Sequence, residues 1–373
     1  MGPVNSRILY LIDSDKHLLD VFTAGSVIAY VSMLFNILVF LLLCRKALRS
    51  PATVLMQGLA VADFLTAFSS YGLHPLFLLE YDCEYSTTRT LYECFLQHPY
   101  CSLATHLSIS FFTFHNISFM ITTCLGLQKV IAIRYPIWTK NQLTINKTAI
   151  ICVFFFVLSV ALGMPRHFAI KLEADISMHR QICIGSINDK DVIKYASVHY
   201  LMFQTTLMTC CCFVMVISTF FIIYKLINNK FKGRVTERRR QERRSVIMIV
   251  IVLVVFLITE IPKVILNLWW CIKHTAGDFL ANDRFRSLLL LQNYEDEMSK
   301  LLIDHTDMIS GYYWYRYSVF RFLLEIIKLF TLLGCLSNFI IYIIMSMKLR
   351  NEIISLFKKT PNGRALEMEM NRK

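Results

Sequence analysis

Seven long apolar stretches alternate with polar segments along this chain. They run over Phe22–Cys44, Val54–Leu79, Leu103–Leu127, Thr148–Pro165, Ala196–Ile227, Val246–Trp270 and Val319–Met345. Each is long enough to cross about 30 Å of hydrocarbon at about 1.5 Å per helical residue. Only helices and closed barrels satisfy their own backbone hydrogen bonds in lipid. These stretches lack the period-2 alternation of barrel strands, so the pattern predicts helices. The expected fold class is an all-α membrane protein, a seven-transmembrane helix bundle. After the last span, Lys348–Lys359 sets basic and apolar residues on opposite helical faces. That pattern predicts a short amphipathic eighth helix lying on the membrane. The expected organisation is an extracellular N-terminus over 1–21, a membrane domain over 22–346, and a cytoplasmic helix and tail over 347–373.

Charge orients the bundle. Arg45, Lys46 and Arg49 follow the first span, Lys129, Arg134, Lys140 and Lys147 the third, and a cluster from Lys225 to Arg244 the fifth. The remaining gaps are mixed or acidic, as at Glu80, Asp82, Glu84 and Glu93. Basic residues favour the cytoplasmic side, so the N-terminus is expected outside. The net charge of +13 would suggest nucleic acid as a partner in a soluble chain. Here it follows from membrane topology, and no nucleic-acid partner is expected. The run Glu237–Arg244 is expected as a helical extension of spans V and VI, and its basic residues are suited to anionic lipid. A mean hydropathy of +0.51 with 17% charged residues agrees.

Of twelve cysteines, eight lie in or at the ends of spans, where small apolar packing is their ordinary role. Cys83, Cys94, Cys101 and Cys183 fall in expected outer segments, where disulfides persist. A Cys101–Cys183 bridge would pin the loop between spans IV and V over the bundle mouth and leave Cys83 and Cys94 to pair. Four cysteines allow other pairings as well. No phosphate-cradling glycine loop, zinc-ligand spacing or nucleophile elbow is present, so no enzyme activity and no cofactor is expected. Asn146-Lys147-Thr148 matches a glycosylation sequon, but topology places it in the cytosol.

Motifs on the right spans and in the right order carry a resemblance. Asn36 lies in span I, and Leu59-Ala60-Val61-Ala62-Asp63 in span II. Gln128-Lys129-Val130 closes span III, Pro262 lies in span VI, and Asn338-Phe339-Ile340-Ile341-Tyr342 in span VII. In these features the chain resembles the rhodopsin-like G-protein-coupled receptors. Its departures are Gln128-Lys129 for the usual acidic-Arg pair, Thr259-Glu260-Ile261-Pro262 for Cys-Trp-x-Pro, and Phe339 for proline. With these it looks like the invertebrate receptors for FMRFamide-type peptides, myosuppressin and sex peptide, and their nematode relatives. The resemblance implies an extracellular neuropeptide ligand, of an amidated Arg-Phe-amide type, and a heterotrimeric G protein on the inner face. A chemosensory receptor for a small molecule is the alternative within the class, and a transporter the alternative outside it. Matched inverted halves with broken helices, usual in transporters, are not visible.

The resemblance also implies a sodium and water network around Asp63, with Asn36, Ser118 and Asn338 as neighbours and an allosteric sodium ion as candidate ligand. A plain polar packing cluster is the other reading. Glu260 sits two positions before Pro262, where the backbone ladder is already loosened. A carboxylate there must be protonated, paired or wet, and Lys263 is at helical spacing to pair with it. The readings are an internal lock at the hinge, an acceptor for a ligand cation, or a protonated packing residue. Ligand candidates near the outer ends are Glu260, Glu325, His106, His74 and Trp269, with Arg321 and Glu325 spaced to pair with each other. Gln128, Lys129, Pro262 and Tyr342 are expected in activation and G-protein coupling. Lys129 keeps a charge but lacks the planar fork of arginine. The third outer loop, about 272–316, is long enough to carry one or two short amphipathic helices.

Overall fold

The computed structural model describes residues 7–9, 16–45, 49–86, 91–175, 182–187, 192, 195–228, 237–280, 322 and 324–338. Seven long helices lie among them. They are α1 (Lys16–Leu43), α2 (Pro51–Ala67), α3 (Tyr100–Arg134), α4 (Ile145–Gly163), α5 (Tyr200–Asn228), α6 (Glu237–Leu280) and α7 (324–338). The first six contain stretches long and apolar enough to cross a membrane. The seventh expected span begins and ends outside the described residues, as do Tyr342 and the expected eighth helix.

Local chemistry sets the helix ends. Ser50 caps α2, accepting from the Thr53 amide while Thr53 Oγ1 accepts from the Ser50 amide, and Pro51 occupies the first turn. Thr144 caps α4 through the Lys147 amide. Beyond Ala67, α2 continues through a wide turn, Phe68–Gly72, and a short helix, His74–Leu78. The Tyr30 hydroxyl donates to the Gly72 carbonyl at 2.7 Å, satisfying one acceptor there. Gly25 allows the close approach of α1, since a Cβ at that position would stand 2.8 Å from the Tyr71 ring.

The axle of the bundle is α3. Of its most apolar window, 61% is buried, against 22% for the peripheral α4. The core runs along α2, α3, α5 and α6 through Leu59, Ile117, Ile121, Met215, Ile222 and Leu253. Val27, Leu34, Ile150, Val157, Phe220 and Ile265 point outward. In a soluble protein such a surface would be an aggregation liability; here it is the lipid face. Gly163 lets α4 lie against α3, because a Cβ there would collide with Thr113 Oγ1.

Two findings extend the sequence reading. The outer segments carry strands beside the helical bundle. The hairpin β2 (Tyr81–Ser86) and β3 (Leu91–Leu96) places Cys83 opposite Cys94. β1 (Arg7–Leu9), β4 (Ile170–Asp175) and β5 (Ile182–Ile187) form an antiparallel sheet in the order β1-β5-β4. Thus the N-terminal segment pairs with the loop between α4 and α5. On β4, the exposed Lys171 and Glu173 pair at 2.7 Å, which raises the lysine's proton affinity.

The second finding is the length of α6. It runs from Glu237 to Leu280, about 66 Å at 1.5 Å per residue, twice the hydrocarbon thickness. Its basic start is the helical extension that the Arg238–Arg244 run predicts. Its end continues past Trp270, so the outer connection begins after Leu280 and not near residue 272. The apolar pattern stops where the membrane does, whereas helix formers such as Ile272, Lys273 and Ala276 carry the ladder on.

Candidate functional site

Three buried carboxylates tie the bundle together. Asp63, fully buried on α2, accepts from Ser118 Oγ of α3 at 2.6 Å and from Asn338 Nδ2 of α7 at 2.9 Å. Neutral donors thus hold a charge-bearing group from two other helices. Asn36 does not join them. Its amide donates to the Ser32 carbonyl at 2.9 Å and lies 3.3 Å from the Ser32 hydroxyl, on its own helix. The expected fourth member is therefore satisfied locally, by the short-range bonding that polar side chains in helices favour.

Glu260 lies in a different setting. Its Oε2 is 2.9 Å from His115 Nε2 of α3, and Lys263 Nζ stands 3.9 Å from the same oxygen. All three residues are at most 3% exposed. A histidine Nε2–H donating to the carboxylate gives both groups a partner, and the ammonium balances the charge. His115 is held flat by aromatic rings. Phe111 and Phe256 stack on it at centroid distances of 6.1 and 6.3 Å, and Phe119 meets it edge-on at 6.1 Å. The Lys263 ammonium also lies 5.8 Å from the ring centres of both Phe111 and Phe112. His115 Nδ1 and Lys263 Nζ make no hydrogen bond. The i,i+3 pairing expected of Lys263 is present, but the shorter bond comes from another helix. It joins α3 to α6 beside Pro262, which removes the bond to the Ile258 carbonyl.

Glu325 of α7 accepts from the Tyr71 hydroxyl of α2 at 2.6 Å and from Lys328 Nζ at 2.7 Å. The expected Arg321 pairing falls on a residue outside the description, and Lys328, three positions on, is the recorded cation. His74 is buried beside this pair, its ring edge-on to Phe22 at 4.9 Å and its Nε2 without a partner. On the other side of the bundle, His106 Nδ1 lies 3.1 Å from His167 Nδ1. Trp269 lies on α6, but its side chain is outside the described residues. Glu260, Glu325, His74 and His106 thus do not form one cluster.

Next to the α3–α6 contact is a group that the sequence reading does not single out. Arg166 lies over the Tyr200 ring at 4.4 Å and the Phe112 ring at 5.6 Å. The Tyr200 hydroxyl is 3.2 Å from Asn116 Nδ2. The neighbouring Tyr195 hydroxyl donates to the Leu162 carbonyl at 2.9 Å, and burial raises its proton affinity.

On the inner face, Gln128 is buried with its Oε1 unpartnered, and Lys129 has no carboxylate partner among the described residues. At the outer end of α3, Cys101 is disulfide-bonded. The side chains of Cys83, Cys94 and Cys183 lie outside the described residues. The eight free cysteines are those assigned to the spans.

A bundle of this form, with buried polar links between α2, α3, α6 and α7, defines a class. The chain matches the family described as 7 transmembrane receptor (rhodopsin family) over residues 35–293. It belongs to that family and is a multi-pass plasma-membrane receptor. The family signals from an extracellular ligand to a G protein on the cytoplasmic face; it is not a family of enzymes. Proto-oncogene Mas of Rattus norvegicus is 23% identical over 166 residues, which is 44% of this chain and 45% of that protein. Proto-oncogene Mas of Homo sapiens is 24% identical over 132 residues, or 35% and 37%. The chain thus matches less than half the length of these relatives.

Proposed function

We propose that this receptor responds to an extracellular neuropeptide of the amidated Arg-Phe-amide class, as the likeness to FMRFamide, myosuppressin and sex peptide receptors implies. Glu325, with His74 beside it, receives the peptide's cationic side chain by exchanging it for Lys328. His106, paired with His167, contributes from α3, and Trp269 of α6 is the remaining ligand candidate. A Cys101–Cys183 bridge holds the loop between α4 and α5 over the mouth; the disulfide-bonded state of Cys101 and the place of Cys83 opposite Cys94 support it.

Glu260 acts in this reading as an internal lock and not as a ligand acceptor. The observation that carries it is the 2.9 Å His115–Glu260 contact, which joins α3 to α6 beside the proline. A ligand that moves either helix must strain this bond, so binding above shifts the inner ends of α3 and α6. Gln128, Lys129 and Tyr342 then face the G protein. Asp63 and Ser118 offer oxygens to a sodium ion, while Asn36 is turned to Ser32. That partial fit makes an ion at this site a modulator of the resting state. Stabilisation of the purified receptor by sodium over potassium tests it.

The test of the main reading is G-protein activation in cells expressing the chain, challenged with amidated peptides ending in Arg-Phe-amide. The expected result is a saturable response whose basal level rises in Glu260→Gln at equal surface expression. Silence of a surface-expressed receptor to the whole panel would refute the ligand class.

A further inference from the structure

Four buried polar atoms between α3, the end of α4, α5 and α6 lack hydrogen-bond partners: Arg166 Nη1, Asn116 Oδ1, His115 Nδ1 and Lys263 Nζ. His115 and Lys263 belong to the lock; Arg166 and Asn116 do not. Lys263 is balanced by Glu260 at 3.9 Å. Arg166 has no carboxylate partner among the described residues, although its Nη1 is sealed from solvent. Arginine cannot shed its charge. An aromatic ring stabilises a cation only weakly compared with a carboxylate.

The two cations flank one ring. Arg166 is 5.6 Å and Lys263 5.8 Å from the centre of Phe112. Among the described residues, the other ionisable side chains packed here are Tyr195, Tyr200, Glu260, His115 and the His106–His167 pair. The one carboxylate of this group, Glu260, stands beside Lys263 and not beside Arg166. Asn116 is 4% exposed and uses its Nδ2 on the Tyr200 hydroxyl, so its Oδ1 is an acceptor awaiting an N–H. Arg166 lies over that same tyrosine ring. A donor cation and an empty acceptor thus both belong to side chains that meet Tyr200, one at its ring and one at its hydroxyl.

We propose that Arg166 and Asn116 bind a carboxylate-bearing part of the ligand. The carboxylate accepts from the guanidinium, and an adjacent peptide N–H donates to Asn116 Oδ1. This deepens the peptide-receptor reading and rests on it. The ligand then carries an acidic group in addition to any arginine. Two sources share this chemistry, an Asp or Glu side chain within the peptide and a free C-terminus. An amidated peptide leaves only the first.

The test uses purified full-length receptor and does not depend on finding the agonist. Thermal unfolding is followed with 10 mM-range N-acetyl-aspartate N′-methylamide, N-acetyl-asparagine N′-methylamide, or N-acetylglycine as probes. A bound probe raises the midpoint by about 1 °C or more at several-fold excess over its dissociation constant. The expected result is a rise with the aspartate probe, none with its asparagine twin, and loss of the rise in Arg166→Gln. Asn116→Ala, which leaves the cation in place, reduces the rise and serves if Arg166→Gln does not fold. A comparable rise with N-acetylglycine assigns the carboxylate to a free C-terminus; a rise with the aspartate probe alone assigns it to an acidic side chain. No rise with either carboxylate, or a rise that survives Arg166→Gln, overturns the proposal. Silence in the Arg-Phe-amide assay alongside a positive result here refutes only the peptide class.

Discussion

Asp63 and Glu260 are both buried carboxylates that bond to α3, yet their surroundings differ in kind. Asp63 is held by a hydroxyl and an amide, on α3 and α7. Glu260 is held by an imidazole and an ammonium, in a sleeve of phenylalanines. The first is a polar joint whose partners stay neutral whatever the carboxylate does. The second is a charged assembly, and removing one member leaves the others uncompensated in an apolar place. Buried ion pairs are expensive to break on one side even when the intact pair adds little net stability. The bundle therefore has a tolerant joint at Asp63 and an intolerant one at Glu260.

The largest expected effect follows directly. Glu260→Ala strands a buried ammonium and imidazole and should cost roughly 3–5 kcal/mol, read as a lowered unfolding midpoint and reduced surface expression. A loss no greater than that of Asp63→Asn would erase the distinction. Gly163→Ala comes next, at about 1–3 kcal/mol, because its new Cβ collides with Thr113 on α3 without touching either carboxylate. Thr113→Ala should recover part of that loss in the double variant, since it removes the colliding hydroxyl. Asp63→Asn should cost about 1–2 kcal/mol, the scale of re-forming hydrogen bonds among neutral groups. The smallest effect is expected at Asn36→Ala, at most about 1 kcal/mol. It should add to Asp63→Asn within roughly 0.5 kcal/mol in a double-mutant cycle. Strong coupling between Asn36 and Asp63 would show that a shared network exists after all.

How much of this was legible in the sequence depends on which contacts are local. The seven spans follow from apolar length alone, and the Asp63 joint from the order of motifs on them. Asn36 was misplaced because a helical asparagine can turn to its own backbone, and no pattern says which it will do. At Glu325 both Arg321 and Lys328 sit at helical spacing; Lys328 is in contact, and Arg321 lies outside the described residues. Tyr71 lies more than 250 residues away and has no sequence signal at all. His115 had a faint one: Phe111, His115 and Phe119 recur every fourth residue, which sets the histidine on an aromatic face of α3. Joining it to Glu260 requires the register between α3 and α6, and that is decided by packing. Arg166 was passed over because it follows an apolar span like an ordinary membrane-edge cation; only its orphaned nitrogen sets it apart. The strands of the outer segments are only three to six residues long; β2–β3 and β4–β5 pair with their chain neighbours, whereas β1 pairs with β5 across a separation that local patterning does not encode.

The central claim is that the His115–Glu260 contact restrains α3 against α6 in the resting receptor. Basal nucleotide exchange on a co-expressed G protein tests it, in membranes carrying wild type, Glu260→Gln, His115→Asn and the double variant at matched receptor levels. The account predicts that each single change raises basal exchange and that the double variant goes no further than the singles. Unchanged exchange in the single variants, or effects that simply add, would contradict it.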